Sequence, residues 1–286
     1  MISEYVAPKD IEEALRLMGK WKGKATLIAG GTNVIPDLRA KALKMSALID
    51  LSPIKGLTFI KEEKKRIRIG ALTTIAELAS SKVIQRCAPI LSEAARQLGN
   101  PLVRNRATLA GNLADASPAA DTAVPLLVLE ATVLAERAGK KAREIPLEEF
   151  FVAPNRTALK ADEIIREIRF AKPGSTDRMA YSKLGLRNAM AISVVSVAVR
   201  IEMEGVECKK ARVALGAVAP KPIRAYRCED ILRGGEITPE LIEVCSGRAE
   251  EEVKPITDIR ATADYRKSMC GILLRRTIER AFMGRR

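Results

Sequence analysis

Ala25-Thr26-Leu27-Ile28-Ala29-Gly30-Gly31-Thr32-Asn33 is the stretch on which the reading of this sequence turns. Its apolar start predicts a short strand, its paired glycines a tight turn, and a helical stretch follows before a second apolar strand, Ala47-Leu48-Ile49-Asp50. Strand, glycine turn, helix, strand is the order of an α/β unit that can hold a ligand. Glycines let the main chain turn sharply and approach a ligand with no Cβ in the way. Consecutive N–H groups at a helix start make an anion-binding concavity, to which Thr32 adds a hydroxyl. The same residues equally describe a tight βα turn that binds nothing. Neither GxGxxG nor GxxxxGK[S/T] is present. Upstream, Asp10 and Glu13 form a D-x-x-E capping box, and Ile11, Ala14, Leu15 and Met18 mark one face of a helix. These elements make residues 1–55 one small α/β unit.

A second unit is expected over residues 56–176. Arg66-Ile67-Arg68-Ile69-Gly70 alternates as a strand, Thr74-Ile75-Ala76-Glu77 is a capping box, and a helix is predicted over 83–97, stopped by Gly99-Asn100-Pro101. Residues 123–134 are apolar and read as helix, then strand. Pro173-Gly174-Ser175-Thr176 is the clearest linker. Over 177–286, strands at 179–183, 192–203 and 211–218 precede helices at 224–233, 238–252 and 261–283, the order of an α+β domain.

The second unit carries another small-residue loop, Thr108-Leu109-Ala110-Gly111-Asn112. Its hydroxyl, small residues and amide repeat the vocabulary of the first loop, and two such loops could hold the two phosphates of one pyrophosphate. Asp121, beyond Ser117-Pro118, could accept hydrogen bonds from ribose or ribityl hydroxyls; it could also be a helix cap or a surface carboxylate. Arg104 and Arg106 could screen phosphate charge or be ordinary solvated arginines.

Composition removes several classes of chemistry. The 286 residues contain no histidine, so histidine-dependent triads, HExxH zinc sites and 2-His-1-carboxylate iron sites are excluded. The five cysteines include no CxxC pair, and no metal site is expected. Redox chemistry would need an organic cofactor or a partner's centre. The net charge of +14 is spread along the chain, with enrichments at 39–68 and 260–286. With ten aromatics in all, the stacking platforms of nucleic-acid binders are absent, and no nucleic-acid role is expected. A basic surface suits acidic partner subunits or phosphate-rich ligands better. No apolar run approaches the roughly 20 residues of a membrane span. The start Met1-Ile2-Ser3-Glu4-Tyr5 does not read as an export signal, and scattered cysteines suit a reducing cytoplasm.

Taken together, Ala29-Gly30-Gly31-Thr32, Arg104-Asn105, Thr108 to Asn112 and Ala116-Ser117-Pro118-Ala119-Ala120-Asp121 resemble the medium, FAD-binding subunit of molybdenum hydroxylases, the family of carbon monoxide and xanthine dehydrogenases. Ile49-Asp50-Leu51, Ile69-Gly70-Ala71, Glu148-Glu149-Phe150-Phe151, Asp162-Glu163-Ile164-Ile165, Tyr181-Ser182-Lys183 and Gly216-Ala217-Val218-Ala219-Pro220 extend the resemblance over essentially the whole chain. It implies a vanillyl-alcohol-oxidase/PCMH-type α+β fold: two FAD-binding subdomains, then an α+β C-terminal domain of the carbon monoxide dehydrogenase flavoprotein type. It implies non-covalent FAD, with Leu27 and Ile28 leading into a first pyrophosphate loop of Ala29, Gly30, Gly31, Thr32, Asn33 and Val34. The second loop would be Thr108, Leu109, Ala110, Gly111 and Asn112. Asp121 would meet the cofactor's hydroxyls, Ile164 and Ile165 would line its rings, and Lys183 would stand beside the isoalloxazine as the catalytic cation.

The implied partners are a large molybdopterin-binding subunit and a small [2Fe–2S] subunit, in a dimer of heterotrimers that passes electrons to a small-molecule acceptor. Two departures stand out. Asn33 replaces a common aspartate, and Ala110 replaces the first glycine of a GGN triplet, which is harmless only if its φ is negative. Residues 134–150 lack the cysteine-bearing insertion of 4-hydroxybenzoyl-CoA reductases. A stand-alone flavin oxidoreductase of this fold and a flavin-free assembly subunit are the alternatives.

Overall fold

A computed structural model describes residues 4–21, 23–40 and 45–282. The first three residues of the chain, part of the basic stretch 39–68, and positions 283–286 of the basic C-terminal stretch and final predicted helix lie outside the described residues.

The first sheet is parallel, in the order Glu4–Val6, Ala47–Asp50, Ala25–Ile28. Both expected strands are present. The edge strand Glu4–Val6 escaped the reading because three mixed residues carry no pattern. Helix Ile11–Trp21 buries Ala14, Leu15 and Met18 in a core with Ile49, Leu51 and Ile54. Its capping box is displaced by one residue. Asp10 accepts from the Glu13 N–H at 2.8 Å, but Glu13 reaches back to the N–H of Lys9, also at 2.8 Å.

The second sheet is antiparallel: Ile60–Glu62, Arg66–Gly70, Ile164–Ala171, Thr132–Glu136, Arg143–Pro146. The capping box at Thr74 forms as read, with Glu77. The single helix expected over 83–97 is two, Lys82–Cys87 and Pro89–Gln97. Pro89 has no N–H to continue the first and biases the preceding residue out of the helical region, and Ala88 sits at φ −144°, ψ 63°. The apolar stretch 123–134 divides as expected into helix Ala123–Val128 and strand Thr132–Glu136.

The third sheet is an antiparallel meander of Asp177–Leu184, Val195–Glu204 and Glu207–Gly216, extended by Ile223–Arg224. Helices Tyr226–Leu232, Pro239–Glu252 and Ala263–Phe282 cover one face. Their shared core holds Cys208, Cys228, Cys245 and Cys270 as small buried hydrophobes. Strand alternation sends the other face elsewhere. Ala180 enters that core, whereas Tyr181, Ala198 and Ala214 join the core of the second sheet and its helices. This shared packing carries the strand of Lys183 against helix Pro89–Gln97 and the region of Asp121.

Candidate functional site

The first glycine loop leaves the C-terminal edge of the parallel sheet after Ile28. Gly31 takes φ +72°, a left-handed value that glycine adopts without strain. The N–H groups of Ile35 and Asp37 then bond the carbonyls of Gly31 and Asn33, each at 3.0 Å, and start helix Val34–Arg39. Asn33 occupies the cap position, but its side chain makes no capping bond. Among the described residues, the N–H groups of Gly30, Gly31, Thr32 and Asn33 meet no acceptor. They form the row of main-chain donors that suits a phosphate.

This loop is braced from the neighbouring strand. Asp50 accepts the Tyr5 hydroxyl at 2.6 Å, the Ser52 N–H at 2.9 Å and the Ser52 hydroxyl at 2.6 Å; the same Ser52 oxygen lies 3.2 Å from the Ala29 carbonyl. Burial would raise the Asp50 carboxyl, but these hydrogen bonds, with the nearby charge of Arg106, hold it below its ordinary value.

The second loop touches the first. A Cβ on Gly30 would stand 1.8 Å from the carbonyl oxygen of Arg106, so the main chains of the two loops are in direct contact. Its own N–H groups, however, are engaged internally. Leu109 donates to Thr73 O at 2.9 Å, Ala110 to Ala71 O at 3.1 Å, Gly111 to Thr108 Oγ1 at 3.2 Å and Asn112 to Thr108 O at 3.0 Å. Thr108 caps helix Leu109–Ala114, and Asn112 accepts the Thr122 hydroxyl at 2.5 Å. Ala110 lies inside that helix and is not among the positive-φ residues, so its replacement of glycine is unstrained. The loop therefore offers side chains, chiefly the Asn112 amide N–H groups and the Thr108 hydroxyl, and few main-chain donors.

Asp121 and Lys183 come together. Lys183 Nζ donates to Asp121 Oδ2 at 2.7 Å and to the Gln97 carbonyl at 3.1 Å; the lysine side chain is only 5% exposed. Asp121 also accepts the Ser193 hydroxyl at 2.7 Å and the Tyr181 hydroxyl at 3.3 Å. Burial pushes the Asp121 carboxyl up, opposed by the Lys183 ammonium and the two hydroxyls, and burial raises the Tyr181 phenol well above its usual value. A buried ammonium–carboxylate pair with two hydroxyl ligands is a fixed polar cluster that can orient a hydrogen-bonding ligand. Asp121 is neither a helix cap nor a surface carboxylate.

The remaining expected residues divide. Ile164 lies in the same core as Leu27 and Ala29, whereas Ile165, on the opposite face of its strand, enters the second core; both are buried. Leu109 and Ala110 are buried, and Ile28, Thr32 and Val34 are half-buried. Arg104 is turned inward, donating to the Leu98 carbonyl at 3.0 Å, and Arg106 is exposed. Ser193 and the role of Tyr181 were missed. Tyr181 had a signal, because Tyr-x-Lys puts both side chains on one face of a strand. Ser193 had none, being brought in by the loop between two strands.

The chain matches the FAD binding domain in molybdopterin dehydrogenase over residues 1–173 and the CO dehydrogenase flavoprotein C-terminal domain over 180–281. It is 32% identical to the carbon monoxide dehydrogenase medium chain of Hydrogenophaga pseudoflava over 279 residues, 98% of this chain and 96% of the other. It is 32% identical to the nicotinate dehydrogenase FAD-subunit of Eubacterium barkeri, over 92% and 90%. Among solved structures, carbon monoxide dehydrogenase from Hydrogenophaga pseudoflava superposes with a TM-score of 0.95 over 99% of this chain and 98% of the other, at 32% identity. Quinoline 2-oxidoreductase from Pseudomonas putida 86 gives 0.92 over 99% of this chain and 98% of the other, at 27% identity.

Proposed function

We propose, from the premise that this chain belongs to the family of FAD-binding subunits of molybdopterin dehydrogenases, that it takes electrons from the [2Fe–2S] clusters of a partner subunit and passes them through FAD to an external acceptor. It is a flavoprotein oxidoreductase subunit, the medium subunit of a complex in which a large molybdenum subunit oxidises the substrate and a small iron–sulfur subunit relays electrons.

The single observation that carries the reading is the contact of Gly30 with Arg106: it brings a row of unpaired main-chain donors against a second small-residue loop. The residues present fit the cofactor. Gly30 to Asn33 would take phosphate oxygens through main-chain N–H groups, and Thr32, Thr108 and Asn112 would add side-chain donors. Asp121 and Lys183 would stand by the ribityl chain and ring, held by Tyr181 and Ser193. FAD, when bound, supplies the electron-carrying redox chemistry. The protein's own contribution is to hold and orient it, with a fixed ammonium at Lys183. Holding is non-covalent, since no histidine exists and all five cysteines are buried.

The organisation we propose is two FAD-binding subdomains, 1–55 and 56–176, and a C-terminal domain, 177–286. Free cysteines support a cytoplasmic location. Among the described residues, no helix is long and apolar enough to cross a membrane. The test is the visible spectrum of the purified protein and its titration with FAD. A flavin spectrum and co-purification with molybdenum- and iron-containing subunits are expected; no flavin absorbance together with no FAD uptake overturns the reading.

A further inference from the structure

Arg266 is, among the described residues, one of the largest fully buried side chains, 2% exposed, and lies in the first turn of helix Ala263–Phe282, outside both glycine loops. Its Nη1 donates to the carbonyl of Val194 at 2.7 Å and to that of Ala217 at 3.2 Å, and its Nη2 to Asp258 Oδ1 at 2.8 Å. Burying a guanidinium is costly unless its charge is paired; here both terminal nitrogens find acceptors, while the buried Nε meets none. Asp258 provides the charge and is held in turn by Arg260.

The two carbonyls are what give the residue a role. Val194 directly follows Ser193, whose hydroxyl bonds Asp121. Ala217 stands at φ +62°, a strained value for an L-residue, and its N–H bonds the Pro118 carbonyl at 2.8 Å, in the turn that leads to Asp121. Arg266 thus fixes main chain on both sides of Asp121: the segment that delivers Ser193 and the segment that supports Pro118.

We infer that Arg266 is a positioning residue of the Asp121–Lys183 site, acting through Ser193 and Ala217 to hold Asp121 in the geometry that flavin binding uses. The inference rests on the FAD-binding reading above. The fork geometry of arginine suits the task, since one planar group spans two carbonyls and a carboxylate at once.

The test uses the full-length chain and reads FAD affinity from flavin fluorescence during titration, with thermal unfolding as the check on folding. Wild type, Ser193→Ala, Arg266→Met, Arg266→Lys and the Ser193→Ala/Arg266→Met double variant are compared. Each single removal is expected to weaken FAD by about 10-fold, the worth of one charge-assisted or buried hydrogen bond. The double variant should be no weaker than Arg266→Met alone, because the two act in series. Arg266→Lys, which keeps the charge but not the fork, should recover only part of the loss, and the bound-flavin absorbance of Arg266→Met should shift as that of Ser193→Ala does. Effects that multiply in the double variant, or unchanged affinity in Arg266→Met, overturn the positioning role. A wild type that takes up no FAD overturns the functional reading instead. Where Arg266→Met does not fold, Asp258→Asn, which releases the guanidinium from its carboxylate, carries the same comparison with Ser193→Ala.

Discussion

The two glycine loops share a vocabulary and differ in what their main chains do. In the first, Gly30 to Asn33 present N–H groups that meet no acceptor among the described residues. In the second, Leu109 to Asn112 donate every N–H inward, to Ala71, Thr73 and Thr108. The difference follows from their surroundings. The first loop leaves the end of a parallel sheet, where Gly30 packs on the Arg106 carbonyl but no acceptor among the described residues reaches its N–H groups. The second pairs with the turn at 71–74 through the Thr74–Thr108 bridge, which uses its donors to join two segments. Similar residues therefore make an open donor row in one place and a sealed joint in the other.

The largest effect that could break this comparison is Gly30→Val. Its Cβ cannot coexist with the Arg106 carbonyl, so the loops must part. FAD affinity should fall by at least about 100-fold, the loss of two or more good hydrogen bonds, as read by fluorescence titration; retained binding would show that the junction is not the site. Gly31→Ala comes next. Holding alanine at φ +72° costs roughly 1–2 kcal/mol, so a lower unfolding temperature and an FAD affinity reduced about 10-fold are expected, in the same titration.

The second loop should respond through side chains. Asn112→Ala should weaken FAD by about 5–10-fold with a modest stability loss. Thr108→Ala should cost about 1 kcal/mol of stability through the lost helix cap, with Thr108→Ser restoring it, both by denaturant unfolding. If Thr108→Ala proved as damaging to FAD uptake as Gly30→Val, the contrast between open and sealed loops would fail.

The smallest effect sharpens the comparison from outside both loops. Hydrogen bonding from Arg260, and then Arg266, holds the Asp258 carboxyl well below its ordinary 3.8. A carboxyl lowered by folding stabilises fully above its unfolded value and loses that contribution as pH falls below it. Asp258→Asn should therefore lower the unfolding temperature at pH 7 and make progressively less difference from about pH 4 downward; a pH-independent difference would count against the ion network.

Much of the architecture was legible in the sequence because its signals are local. The Thr74 capping box, the apolar strand Ala47–Asp50 and the strands-then-helices order of the last hundred residues each depend on neighbours along the chain. The split of the helix at Ala88 was also written there, in Pro89, but the helical periodicity around it masked the signal. Candidate site residues were legible as types and positions. Gly30, Thr108, Asp121 and Lys183 were all singled out, yet their partners were not.

What only the tertiary structure decided is which groups remain available. Sequence lists donors and acceptors, but whether an N–H is free depends on what folds against it, and that is a long-range property. Thr73 and Ala71 occupy the second loop; Ser193, Tyr181 and Lys183 occupy Asp121; Arg266 ties the strands around them. The sequence by itself determined a histidine-free α+β chain with two small-residue loops, because composition and periodicity are local facts. The fold determined that one loop is open, the other closed, and that Asp121 and Lys183 form a buried ion pair, because burial and pairing exist only once distant segments meet.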